Sequence, residues 1–208
     1  PFDGNASDMS GNSNHGAING ATLGTDRHGG VGKAYSFDGV DDYIKSTSGG
    51  VVANAPRSLS YWIKTGVEGK IPVSLGTASA GTHNKSFAPT PYSTKATIYG
   101  GNGIYDEGLI SLSVNLIDSQ WHHVVVTYDG TDQLTIIGDS LNIGERTRSP
   151  EKSYDTEQGI IIGSWYDFNR YFNGSIDEVR IYDRALSAAE VAALYQLENT
   201  PPSAPAQL

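Results

Sequence analysis

The sequence predicts an all-β domain, a sandwich or a barrel, with a single short helix near its C-terminus. Three observations lead there. Short stretches rich in β-branched and aromatic residues recur between Gly, Asn, Asp and Ser. Glycine supplies 25 of 208 residues, well above the average usage of about 7%, as a chain with many turns requires. One capping box, Ser187-Ala188-Ala189-Glu190, is the only convincing helix start.

The expected strands run in order through Ala34–Asp38, Tyr43–Ser46, Ser58–Lys64, Ala96–Tyr99, Leu109–Val114, His122–Tyr128, Gln133–Ile137, Gly159–Gly163 and Ser175–Tyr182. In Ser58–Lys64, Leu59, Tyr61 and Ile63 alternate with Ser60, Trp62 and Lys64, which predicts one dry face. Trp121–Tyr128 is denser and ends in Asp129-Gly130, so it reads as a central strand entering a hairpin, with Trp121 in the core. Gly159–Gly163 is apolar on both faces and is also expected to be central. The stretch Gly66–Pro91, with Pro72, Pro89 and Pro91, reads as loops on one rim. In the helix, Val191, Leu194 and Tyr195 give a short apolar stripe for docking on a sheet. The expected domain spans 1–198, and the proline-rich residues 199–208 read as an extended linker to a following domain. The opening Pro1-Phe2-Asp3-Gly4 reads as the edge of an excised piece.

Composition excludes several function classes. Lys plus Arg is 14 against 23 Asp plus Glu, a formal net charge of −9 with no basic cluster, so nucleic acid is not an expected partner. No run of 18 apolar residues predicts a membrane span, and no leader peptide is read. The absence of cysteine removes disulfides, cysteine-based zinc sites and thiol catalysis, but fits the cytosol and the exterior equally.

Three acidic clusters carry candidate chemistry. The turn Asp8-Met9-Ser10-Gly11-Asn12-Ser13-Asn14 groups oxygen donors of the kind calcium takes, although Asp, Asn and Ser also form self-bonded turns. Asp38, Asp41 and Asp42 crowd a turn where they repel one another unless exposed or bound to a cation. In Asn173–Tyr182, strict alternation would place Asp177 with Val179 and Ile181 on the apolar side, where a carboxylate needs a hydrogen-bonding partner or a metal. Glu178 and Arg180 read as a surface pair.

Four ordered motifs, Asp8–Asn12, Gly32–Ile44, Trp121–Val124 with Tyr128-Asp129-Gly130, and Phe172–Ser187, resemble the laminin-G-like domains of the concanavalin A-like lectin/glucanase superfamily. The likeness runs from about Phe2 to Gln196. It implies a two-sheet antiparallel jelly-roll β-sandwich and a structural calcium ion, with Asp8, Asn12, Asp38 and Asp177 as the positions carried over to its shell. It also implies a non-catalytic accessory module of a larger secreted or cell-surface protein, binding a glycan, a polysaccharide or a cell-surface glycoprotein. The last residues resemble the entry to a fibronectin type III repeat. One departure is Gly138-Asp139, the reverse of the family's usual Asp-Gly, which leaves that hairpin's geometry open.

Sugar recognition needs flat rings beside planar polar groups. The densest such patch is Trp165-Tyr166-Asp167-Phe168-Asn169-Arg170-Tyr171, and the binding candidates are Trp165, Tyr166, Asn169, Arg170 and Tyr171. The alternative is that Trp165 and Phe168 fold inward to close the sandwich. Tyr92, Tyr105 and Trp62 are secondary candidates. No catalytic constellation is read: Asp177-Glu178 lacks the second glutamate of a sheet-bound glucanase, and the adjacent His122 and His123 face opposite ways. The competing expectation is a calcium-stiffened structural or adhesive spacer without a sugar site.

Overall fold

The computed structural model describes residues 2–46, 48–76, 86–100, 109–140, 142–147, 156, 159–165 and 170–201. In chain order the strands are β1 Ala17–Asn19, β2 Thr22–Thr25, β3 Val31–Asp38, β4 Tyr43–Ser46, β5 Arg57–Lys64, β6 Val73–Leu75 and β7 Phe87–Pro91. They continue with β8 Lys95–Gly100, β9 Ile110–Ser111, β10 Trp121–Tyr128, β11 Gln133–Gly138, β12 Asn142–Thr147, β13 Ile160–Ile162 and β14 Asn173–Tyr182, before the helix α1, Ala188–Asn199. They form two antiparallel sheets of seven strands, ordered β1-β4-β13-β6-β7-β8-β9 and β12-β11-β10-β5-β14-β3-β2. This is the expected jelly-roll sandwich. The core between the sheets holds Ile44, Val73, Leu75, Phe87, Ile98 and Ile162 from one side, and Tyr35, Leu59, Tyr61, Ile63, Val124, Val126 and Ile176 from the other.

The expected central strands are central. β13 lies between β4 and β6, and β10 between β11 and β5. The β10–β11 hairpin closes as Asp129 Oδ1 accepts the amides of Thr131 and Gln133, with Gly130 left-handed at φ 87°. At the reversed Gly138-Asp139, both Asp139 and Ser140 are left-handed. Asp139 holds that conformation because its carboxylate accepts the amide of His123 at 3.0 Å and the ring of His122 at 2.8 Å.

Four expectations fail for physical reasons. The stretch 66–91 contains two strands, β6 and β7, despite its prolines. Pro91 directs its carbonyl to the Gly69 amide, away from β8. The nitrogen of a strand residue points to the same side as its oxygen, so the donors lost at Pro89 and Pro91 come from the side that does not pair with β8. β5 is dry on both faces, with Ser58, Ser60 and Trp62 buried as well as Leu59, Tyr61 and Ile63. Trp121 is half-buried at the start of β10 and lies outside the core. Strict alternation in β14 breaks at a bulge between Asp177 and Arg180, where Glu178 takes φ 50°. Asp177 opposes Trp62, and Arg180 opposes Ser60, so both leave the core face that Val179 and Ile181 keep.

Helix α1 begins as predicted: Ser187 accepts the Glu190 amide, and the Glu190 side chain accepts the Ser187 amide. It packs Val191 against Val125, Ile137 and Leu186 on the outer face of the β5 sheet. That docking is what dries the second face of β5.

Candidate functional site

The predicted calcium positions do not converge. Asp8 Oδ1 accepts the Ser10 amide and Oδ2 the Asn14 amide, bonds that hold its carboxyl below the ordinary range despite some burial. Asn12 donates to Ser10 Oγ. This turn lies beyond the Ser46 end of β4, where Asn14 abuts Gly49, and it rims a cavity of about 730 Å³ floored by Phe2, Ile44, Ile160, Val179 and Ile181. Its oxygens therefore edge a cleft of mixed polar and apolar lining. Asp38 ends β3 at the turn that precedes Tyr43, at the opposite end of β4, about 13 Å along a four-residue strand.

Asp177 belongs to a third place. Its Oδ2 is 3.1 Å from Arg27 Nη1, and its Oδ1 accepts the amides of Glu178 at 2.7 Å and Phe2 at 3.4 Å. Burial pushes its carboxyl up, partly offset by the Glu178 amide and by Arg27. Arg27 also stacks on Trp62 and donates to the carbonyl of Glu198, the residue whose carboxylate accepts Trp62 Nε1 at 2.7 Å and Arg180 Nε at 2.6 Å. The rings of Trp62, His123 and Tyr195 form a three-way cluster, with centroids 5.2, 5.6 and 5.8 Å apart. The partner that sequence reasoning demanded for Asp177 is an arginine, and the network fastens α1 to the sheet.

What the structure does bring together is Asp38, Asp41 and Asp42, each with a carboxylate oxygen within 4.8 Å of the others. Asp42 is buried, and its Oδ2 accepts the Asp38 amide at 2.8 Å. Burial pushes its carboxyl up, and the like charges of Asp38 and Asp41 push the same way against that hydrogen bond. Gly20, at φ 75°, packs against the carboxylate so closely that a Cβ would strike it. A compact set of hard oxygen donors suits a divalent cation such as calcium.

The aromatic patch lies on the outer face of the other sheet. Tyr166 and Asn169 fall outside the described residues; Trp165, Arg170 and Tyr171 are half-buried. Trp165 packs on Ile71, Ala88 and Tyr99, with ring centroids of Trp165 and Tyr99 5.7 Å apart, and its Nε1 donates to Ser86 Oγ at 3.2 Å. It therefore covers the sheet from outside and does not enter the core between the sheets. On Tyr99 also lies the Arg170 guanidinium, 4.4 Å from the ring centre. The Tyr99 hydroxyl meets that of Tyr92 at 3.1 Å, and the Arg170 carbonyl accepts the Ile71 amide. Ser74, on the same face two strands from Tyr99, buries an Oγ that has no hydrogen-bond partner among the described residues. The sequence reading missed Tyr99 and Ser74; alternation of Ala96 and Ile98 with Thr97 and Tyr99 marks that face in retrospect.

The comparisons agree with this architecture. A search of curated proteins finds no match. Among solved structures, the binding domain of Paraclostridial Mosquitocidal Protein 1 superposes with TM-score 0.70 at 16% identity, over 92% of this chain and 49% of that one. Domain 4 of AbnA, an extracellular arabinanase from Geobacillus stearothermophilus solved with arabinotriose, gives 0.65 at 20% identity, over 92% and 93%. The binding domain of Botulinum Neurotoxin DC, in complex with SialylT, gives 0.64 at 13% identity, over 92% and 48%. The chain spans about half the length of the toxin domains it matches. No helix among the described residues is long and apolar enough to cross a membrane. A family model described as the concanavalin A-like lectin/glucanases superfamily matches residues 38–192, and to that superfamily, in its laminin-G-type family, the chain belongs.

Proposed function

We propose that this chain is a non-catalytic carbohydrate-binding module of a larger secreted protein, seating its glycan at Trp165 and Arg170, which lie over the outer face of β6–β8. The observation that carries this reading is the Trp165–Tyr99–Arg170 stack, where flat apolar surface, hydroxyls and a guanidinium share one face. The arabinotriose complex of AbnA domain 4 and the SialylT complex of the neurotoxin domain support a glycan as the ligand class. Candidate partners are a polysaccharide or a cell-surface glycoprotein, and a fibronectin type III repeat is the candidate neighbour after the linker.

The second part of the proposal is a structural calcium at Asp38, Asp41 and Asp42, where it would neutralise three crowded carboxylates. Asp8, Asn12 and Asp177 stand outside that shell. A glycan array screened with and without chelator tests the reading. Reproducible hits that Trp165→Ala abolishes, in a variant that still melts cooperatively, support it. A blank array beside a calcium-dependent melt overturns the sugar site in favour of a spacer.

A further inference from the structure

We propose that this face selects acidic glycans, with Arg170 receiving a sugar carboxylate; the inference rests on the carbohydrate-binding reading above. Every other arginine whose side chain is described is already engaged. In a chain of net charge −9, carboxylates outnumber the cations available to them. Arg27 pairs with Asp177, Arg180 with Glu178 and Glu198, and Arg184 with Glu190. Arg57 is buried and donates to the carbonyls of Val51, Ala53 and Ala55 and to Thr156. Arg170 differs from all of these: it forms no ion pair among the described residues, and its one hydrogen bond reaches the Gly69 carbonyl at 3.4 Å.

Nor is Arg170 a loose surface cation. Its Cζ lies 4.4 Å from the Tyr99 ring centre, its carbonyl is tied to the Ile71 amide, and its backbone is held left-handed at φ 54°. Stacking fixes the plane of the guanidinium while leaving most of its N–H groups without acceptors among the described residues. A planar fork held in this way is matched by a planar carboxylate, which accepts two parallel hydrogen bonds from it. Trp165, which also packs on Tyr99, offers the flat surface for the sugar ring that bears the acid. A neutral sugar would use the ring contact and leave the guanidinium unmatched.

The carboxylate can belong to a uronic acid or to a sialic acid, so the test uses two matched pairs. Calorimetric titration of the whole chain compares trigalacturonate with galactotriose and 3′-sialyllactose with lactose. In at least one pair the acidic member is expected to bind about tenfold or more tightly. Arg170→Gln is expected to bring that member down to the affinity of its neutral counterpart, and Arg170→Lys to retain part of the preference. The pair that responds identifies the source of the acid. Equal binding of acidic and neutral members overturns the acid preference and leaves the carbohydrate reading standing. Acid-selective binding unchanged in Arg170→Gln, with its melt unaltered, overturns the role of Arg170. Absence of binding in both pairs, beside a blank glycan array, overturns both.

Discussion

Glu198 is the residue on which the docked helix turns. Although buried, its carboxylate accepts from Trp62 and Arg180, and its carbonyl accepts from Arg27 and His28. Burial pushes the carboxyl up, while Trp62 and Arg180 counter the shift. Glu198→Ala would strand the Trp62 N–H and leave Arg180 with Glu178 alone, so a loss of about 3 kcal/mol in denaturant-unfolding stability is expected, with Glu198→Gln less severe. His123 gives a test by pH. It is buried against Trp62 and Tyr195, with Nε2 at 2.8 Å from Ser60 Oγ and 3.5 Å from Glu198. Burial lowers its pKa to about 4, and the charges of Arg27 and Arg180 add to this against Asp139. Its neutral form therefore belongs to the fold. Between pH 6.5 and 4 the unfolded chain takes up a proton that the native chain refuses, so this contribution to stability falls on acidification through that window. The scale is on the order of 3 kcal/mol. Asp177 and Glu198, both shifted up, act in the opposite direction. Comparing wild type with His123→Gln across pH 7 to 4 isolates the histidine: the stability difference should shift in favour of the variant as pH falls.

At the scale of elements, α1 was legible because its start is written locally. Ser187 and Glu190 cap each other, and Ser187→Ala is expected to cost about 1 kcal/mol by thermal or urea unfolding. Its docking surface was less legible, since Trp62 and Ser60 read as the wet side of β5 until the helix covers them. Hydrophobic periodicity reports which residues face the core and is silent about what shields the other face. The same limit explains Asp177: counting alternate residues set it inward, but a bulge re-aims the strand after it, and bulges carry no apolar signature. Strands written as dense β-branched runs, such as β10 and β13, were found where expected. β7 was hidden because its prolines look like breakers, and only the orientation of the Pro91 carbonyl shows why they do no harm. The aromatic patch was recognised through Trp165 and Arg170, but Tyr99, which joins them, comes from a strand some 70 residues earlier in the chain. No local pattern reveals a partnership of that range.

For the whole molecule the deciding quantity is its surplus of negative charge. The crowding of Asp38, Asp41 and Asp42 concentrates part of that surplus where β3 turns into β4 and β4 meets β1. Asp42 has its folded carboxyl shifted above the ordinary value, so its ionised form destabilises the cation-free fold at neutral pH; that penalty disappears as pH falls through the raised value. A bound calcium removes the same penalty without acid. With the 10⁻⁴–10⁻³ M affinity common in extracellular modules, 10 mM calcium would stabilise the fold by about 1–3 kcal/mol. For a chain of this size that is roughly 3–10 °C in melting temperature. Asp42→Asn separates the electrostatic account from a mere structural role of the side chain, because the amide oxygen still accepts the Asp38 N–H. The variant should melt at or above wild type in chelator and show little or no calcium shift. If it melts well below wild type in chelator and still gains the full shift with calcium, the carboxylate is structural and the cation binds elsewhere.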